Sequence, residues 1–341
     1  MKANQSPTSY HYVRPDIVEL LASDELFTVA DSQPTRAAFA RTLLELGEKN
    51  PRVVVLDADV SKSIGTNQFA EKFPDRSFNF GIAEQNMMGA AAGMATTGLI
   101  PFACTYAVFA SMRALDMVRN SIHYPRLNVK IAASHSGITP GPDGVTHQGQ
   151  EDLSILRSIA HSTVIAPADP TATAQAVWAV AEYEGPVYLS LTRDPVPYLY
   201  TDDFPFTIGT AVTLRSGNDV TIIANRDLVI QSLIAAENLA AKGIDTRVID
   251  CHTLKPLDHE LILKAASETG AIVTAENNIY YGGLGSAVAE VLVENNPVPM
   301  QRIGIQDTFA ESGPYLEVID KYGLTARHIV NAVLTVLKRR R

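Results

Sequence analysis

The sequence is poor in several features that would each point to a class of function. It has two cysteines, Cys104 and Cys251, in 341 residues. Two thiols so far apart exclude a disulfide framework and a cysteine-built zinc site. No apolar run reaches the roughly 18 residues a membrane helix needs. Positive charge is in deficit, with 28 Lys and Arg against 37 Asp and Glu and a net charge of −9. That balance argues against nucleic acid or an anionic membrane as partner. The one basic run, 338–341, reads as a solvated tail end. The opening MKANQSPTSYHY has no apolar signal core, so a cytoplasmic location is expected. Short repeats and low-complexity segments are absent as well.

What is present is ordinary for a globular protein: 46% hydrophobic and 19% charged residues, in a length that suits two domains. Residues 1–33 are mixed, with one amphipathic stretch from Asp16 to Leu26, and read as a lead-in or docking segment. A helix is expected from Pro34, with Phe39, Leu43 and Leu46 at i, i+4 and i+7 and Gly47 near its end. Strands and helices then alternate. RVVVLDAD (52–59), LNVKIAAS (127–134) and PVYLSLTR (186–193) read as strands, and 82–97 and 109–123 as helices. Prolines at 195, 197 and 205 with Asp202 and Asp203 mark a linker. A second unit follows, with strands at 219–224 and 271–276 and a Gly-rich turn, GGLGSA (282–287). The expected fold class is α/β, with two consecutive α/β domains (34–198 and 208–338) and mostly parallel sheets.

In open parallel sheets, ligands collect beyond the carboxyl ends of the strands. Asp59 and Ser63, then His135, Asp143 and His147, then Arg193 all fall after such ends. Glu84 begins a helix otherwise made of Gly, Ala, Met and Ile. It is either a dipole-favoured helix-start carboxylate or an acid kept dry to share a proton with a ligand nitrogen. Gly89 and Gly93 would permit close approach of another segment. Tyr106, Phe109 and Met112 recur every three residues, as a core stripe would or as a stacking platform would. His135, Asp143 and His147 lie in a Gly/Pro loop at spacings that match no metal pattern; proton transfer to a hydroxylated substrate suits them better. Arg36 and Arg193 are surface ion-pair residues or, with Ser63 and His135, donors for a phosphate. GGLGSA lacks the full dinucleotide fingerprint and reads as a tight strand-to-helix turn.

Six motifs then carry a resemblance: DADVSKS, FNFGIAEQNMMGAAAGMA, PFACTYAVFASMRALDMVRNSI, SHSGITPGPDGVTHQGQED, GPVYLSLTRDP and ENNIYYGGLGSAVAEVL. In order and spacing, over residues 30 to 335, the chain resembles the C-terminal half of a transketolase of the thiamine-diphosphate superfamily. It resembles the pyrimidine-binding and C-terminal domains only. Nothing in it reads as the metal–diphosphate motif of the third domain. The resemblance implies a split enzyme. Thiamine diphosphate would be shared between chains, and a separate N-terminal subunit would carry the diphosphate end and Mg2+. This chain would form a homodimer, completed to a two-plus-two heterotetramer.

The resemblance also implies roles. Glu84 would bond the pyrimidine ring nitrogen, Phe109 and Tyr106 would stack on or beside that ring, and Asp59 would lie near the cofactor. His147 would face the substrate carbonyl and Asp143 a hydroxyl. Arg36, Ser63, His135 and Arg193 would hold a sugar phosphate. The implied reaction moves a two-carbon ketol unit from a ketose to an aldose. Two departures stand out. Met112 replaces a third aromatic, and IIANRDLV (222–229) replaces a Gly-Ser turn expected to lie away from the chemistry. The DGVTHQG pattern also resembles deoxyxylulose-phosphate synthase. Two more readings stay open: a two-oxoacid dehydrogenase beta-type chain, and a non-catalytic subunit keeping the fold.

Overall fold

The computed structural model describes residues 9–340. The first eight residues of the lead-in segment, and Arg341 of the basic tail, lie outside the described residues. Among the described residues, fourteen strands form three sheets. In the first unit they are β1 (Ser32–Gln33), β2 (Val53–Asp57), β3 (Ser77–Asn79), β4 (Ile100–Tyr106), β5 (Lys130–Ser134), β6 (Thr163–Ile165), β7 (Val187–Ser190) and β8 (Val196–Pro197). In the second they are β9 (Val212–Arg215), β10 (Val220–Ala224), β11 (Thr246–Asp250), β12 (Thr253–Lys255), β13 (Ile272–Ile279) and β14 (Met300–Ile305).

The main sheet runs β12-β6-β7-β5-β4-β2-β3 and the second β14-β13-β10-β11-β9. All pairs in these two sheets are parallel except β9 with β11 and β12 with β6. β1 and β8 form a small antiparallel tie. The fold is therefore α/β with mostly parallel sheets. One pairing crosses between the units: β12, from the second, closes the edge of the first sheet against β6.

Every residue of β2 is buried, as expected of a strand covered on both faces. Its side chains alternate between two cores. Val53 and Val55 join Phe39, Leu43, Phe102, Val177 and Val180 beneath the helices Thr35–Lys49 and Pro170–Glu182. Val54 and Leu56 join Met87, Met88, Val118 and Ile131. That second core continues without a break into Ile223, Ile249, Leu284 and Val288 of the other unit. In the lead-in segment, Val13, Ile17, Leu21 and Leu26 are buried against Leu199, Tyr200 and Leu214. The helices described there are short, Pro15–Leu20 and Leu26–Val29.

One expectation needs correction. The segment 109–123 is not a regular helix; it has π-helical turns at Phe109–Arg113 and Val118–His123 flanking Leu115–Met117. The Ala114 N–H donates to the Phe109 carbonyl, five residues back. Local periodicity hides such an inserted residue, and π turns concentrate at functional sites. Within the described chain no other segment packs on Gly89 or Gly93, and a Cβ at either would meet open space.

Candidate active site

Parallel strands β2, β4, β5 and β7 end side by side, and their carboxyl ends carry the site. Glu84 is the first residue of the helix Glu84–Ala95 and is 1% exposed. The helix start favours its negative charge. Both carboxylate oxygens accept from Arg113 Nη1 at 3.0 Å. The Arg113 guanidinium carbon in turn stands 4.2 Å from the centroid of the Phe109 ring.

From Phe109 the site is continuous. Tyr106 stacks on Phe109 at 5.7 Å between centroids and on His135 at 3.7 Å. His147 meets both aromatic rings edgewise, at 6.0 and 5.7 Å. Thr146 Oγ1 lies 3.0 Å from His147 Nδ1, which leaves Nε2 as the nitrogen free to face a ligand. His135 is buried, and it has a positive φ of 63° directly after β5. Burial, with Arg36, Arg193 and His147 nearby, pushes its pKa down to about 3. It is thus a neutral ring throughout the working range. Its Nε2 lies 3.7 Å from Asp143 Oδ2, too long for a hydrogen bond.

Two arginines with hydroxyl neighbours converge beside it. Thr35 and Thr192 exchange hydrogen bonds, the Thr192 N–H to Thr35 Oγ1 at 2.7 Å and the Thr35 N–H to Thr192 Oγ1 at 3.2 Å. These clamp the start of the helix Thr35–Lys49 to the end of β7 and bring Arg36 towards Arg193. Arg36 donates to Ser63 Oγ at 2.9 Å and to the Ser63 carbonyl. Arg193 pairs with Asp143 at 3.3 Å and with Asp194 at 3.0 Å. Among the described residues Arg36 has no carboxylate partner; burial and then Arg193 lower its pKa. Burial raises the Asp194 carboxyl against the opposing pull of Arg193.

Nine of the ten residues singled out from sequence thus form one chain of neighbours. The tenth, Asp59, is exposed at the end of the β2 segment and is bonded to Asn79 at 3.3 Å. The buried acid at that strand end is Asp57, which accepts from the Val60 N–H and whose pKa burial raises. Met112 is exposed.

The loop 135–147 is held from the other unit. Asn277 Oδ1 accepts from the Ile138 N–H at 3.0 Å, and Asn277 Nδ2 donates to Asp227 at 2.8 Å. Gly137 has a φ of +58°, and a Cβ there would fall 2.4 Å from the Asn277 carbonyl oxygen. Arg226, fully buried, donates to Ser190 Oγ at 2.9 Å and to the Asn277 carbonyl, and lies 3.5 Å from Asp152. The segment 222–229, expected to lie apart from the chemistry, therefore props the loop that bears His135, Asp143 and His147. Arg226 and Asn277 escape sequence reasoning because no local pattern joins positions so far apart. Arg113 escapes it too, although it sits i+4 from Phe109 within one of the motifs.

The Gly-rich turn binds its own acid. Glu276, fully buried, accepts from the Leu284 and Gly285 N–H groups at 2.7 and 2.8 Å, filling the helix start where a phosphate would sit. A surface cavity of about 710 Å³ beside Arg14, Gln175, Trp178 and Asp202 includes none of the site residues. Among the described residues, no cluster of three or more His, Cys, Asp or Glu could hold a metal ion. No described helix is long and apolar enough to cross a membrane.

A buried helix-start acid thus stands beside an aromatic face, with two histidines and two arginines at the carboxyl ends of parallel strands. Comparison with known proteins identifies the family. Residues 31–197 match the transketolase pyrimidine-binding domain and 209–329 the transketolase C-terminal domain. The chain belongs to the transketolase family and carries its pyrimidine-binding and C-terminal domains. It is 44% identical over 305 residues to the 6-deoxy-6-sulfo-D-fructose transketolase subunit SqwH of Clostridium sp., covering 89% of this chain and 95% of that one. It is 38% identical over 305 residues to an apulose-4-phosphate transketolase subunit of Phocaeicola vulgatus, covering 89% and 97%. A solved structure described as a split-gene transketolase, inactive beta4 tetramer, superposes with a TM-score of 0.83 at 49% identity, covering 90% of this chain and 99% of that one. Transketolase from Campylobacter jejuni shares the fold at 21% identity and a TM-score of 0.77, covering 94% of this chain and 50% of that one.

Proposed function

We propose that this chain is the pyrimidine-binding half of a two-chain, thiamine-diphosphate-dependent transketolase that transfers a two-carbon ketol unit from an anionic ketose to an aldose. The observation that carries this is the run of neighbours from buried Glu84, through Phe109, Tyr106 and His147, to Arg36 and Arg193. The donor set fits the aminopyrimidine end of the cofactor. Glu84 would hold a proton against a ring nitrogen, and Phe109 would offer its face. The diphosphate and Mg2+ fall to an N-terminal partner subunit, because the Gly-rich turn is filled by Glu276.

When bound, the cofactor supplies carbanion chemistry for breaking and making the bond next to a carbonyl. This chain's residues do the rest. His147, fixed by Thr146, moves a proton at Nε2 toward or from the substrate oxygen. Asp143 accepts from a substrate hydroxyl while Arg193 holds it in place. Arg36, Arg193 and Ser63 donate to the terminal anion, and neutral His135 adds one N–H. Asp59, exposed and bonded to Asn79, would approach the cofactor only from the edge of the site. The relatives named for sulfofructose and apulose phosphate act on ketoses with an anionic end group, which supports the same substrate class here.

Self-association is part of the reading. Phe78, Ile82 (77% exposed), Met112 and Tyr124 are exposed apolar residues on the elements flanking Glu84, and Gly89 and Gly93 face open space. A homodimer through this face, joined by two partner subunits, is the assembly proposed. The location proposed is cytoplasmic.

The test is reconstitution of this chain with a diphosphate-binding subunit, thiamine diphosphate and Mg2+. Transfer from xylulose 5-phosphate, a sulfofructose or apulose phosphate to an aldose should need both chains. Turnover by this chain alone would refute the split reading. A synthase-like activity has one supporting observation, 37% identity over 306 residues to the 1-deoxy-D-xylulose-5-phosphate synthase of Desulforudis audaxviator. Pyruvate consumption without ketol transfer would favour that reading.

A further inference from the structure

Arg113 takes no part in the chemistry outlined above, yet its guanidinium stands in the middle of the site. It is flat, it lies 4.2 Å from the Phe109 centroid, and one nitrogen bonds both oxygens of Glu84 at 3.0 Å. A face against Phe109 and an N–H toward Glu84 are the two contacts that the cofactor's ring is proposed to make. Two flat groups cannot occupy that place together. We propose that Arg113 is the resident occupant of the ring seat, and that its guanidinium leaves when the cofactor enters. This rests on the functional reading of Glu84 and Phe109 given above.

The local backbone explains why Arg113 reaches the seat. The π turn, with the Ala114 N–H bonded to the Phe109 carbonyl, sets residues i and i+4 over one another. The side chain is 44% exposed, so it can swing into solvent by rotating its own bonds. Glu84 explains why an occupant is useful. At 1% exposed, its carboxylate would be buried and unpaired in the unloaded chain, a costly state. Arg113 removes that cost, and it therefore competes with the cofactor. A guanidinium is well suited to the double task, since it stacks on an aromatic face and donates from the same plane. With only the Arg113 partner half-exposed, the competition is expected to be about three- to thirtyfold in affinity.

The experiment is calorimetric binding of thiamine diphosphate with Mg2+ to the complex of this chain with its diphosphate-binding subunit. Wild type is compared with Arg113→Gln, Arg113→Lys and Glu84→Gln, each checked for folding by circular dichroism. A second titration uses 4-amino-5-hydroxymethyl-2-methylpyrimidine, the ring alone, on the isolated chain. The expected result is tighter binding in Arg113→Gln for both probes, by about three- to thirtyfold. Arg113→Lys, which keeps charge but loses the flat fork, should fall between, and Glu84→Gln should lose binding. Unchanged or weaker binding in Arg113→Gln, with binding still lost in Glu84→Gln, overturns the occupant role and leaves the functional reading intact. Cofactor binding that is indifferent to Glu84, or absent from every protein, overturns both.

Discussion

Replacing Arg36 with Met should weaken substrate binding and stabilise the protein at the same time. Arg36 is partly buried and bonded only to Ser63, a neutral partner, whereas Arg193 has Asp143 and Asp194 beside it. Burial and the neighbouring Arg193 both lower the Arg36 pKa, so the folded state holds this charge at a cost. A charged hydrogen bond to a terminal phosphate contributes about 2 kcal/mol, which corresponds to a rise in KM of roughly thirtyfold. The interaction is remote from the reacting carbon and is made equally in ground and transition states, so kcat should change less than about threefold. In the same variant the unpaired charge is gone and Met fills much of the volume. Stability should then rise by up to about 1 kcal/mol. The assays are steady-state kinetics with a phosphorylated ketose on the reconstituted complex, and urea unfolding of the purified chain. An unchanged KM together with lower stability would show that Arg36 is a structural residue and that the anion lies elsewhere.

Three further outcomes are expected. Glu84→Gln should keep the fold but reduce ketol transfer at least about a hundredfold in the complex, since general acid–base contacts contribute on that order; near-normal turnover would remove Glu84 from the mechanism. Asp250 is buried, Tyr200 donates to it at 2.7 Å, and desolvation raises its pKa to about 8 from 3.8. The folded state therefore keeps a proton that the unfolded chain has released, and this contribution to stability is lost as pH rises toward 8. Asp250→Asn should reduce the fall of unfolding free energy between pH 5 and 7 by about 1.4 kcal/mol per pH unit, and parallel curves for the two proteins would refute this. Gly137→Ala places a Cβ against the Asn277 carbonyl at a positive φ. It should cost about 2–4 kcal/mol in denaturant unfolding, and an unchanged midpoint would show that the loop yields.

Much of this is legible in the amino-acid sequence. The apolar runs of β2 and β5 announce buried parallel strands, and Glu84 at the head of a small-residue helix announces a dry acid. The types and order of His135, Asp143 and His147 point to one loop with chemistry in it. The rest depends on contacts between distant positions. Nothing near Thr253 signals that β12 will pair with β6. The π turn at Phe109–Arg113 shifts one residue against a helical count, and so hides the reach of Arg113 to Glu84. Arg226 looks like an ordinary loop arginine until Ser190, Asp152 and Asn277 are seen around it. Asp59 is the converse case: an acid after a strand reads as facing inward, whereas it is exposed and bonded to Asn79.

The crossing strand β12 ties the two units into one folding body. Without it β6 is a bare parallel edge, a template for pairing with another molecule. The apolar core under Met87 and Met88 would also be cut through its middle at Ile223 and Ile249. Either unit expressed by itself inherits a raw seam, sticky on one side and hollow on the other. The pair is therefore the smallest portable module here: a protein engineer can fuse or transplant it whole, and a chain nicked in the linker would stay held together by the β12–β6 pairing and the shared core.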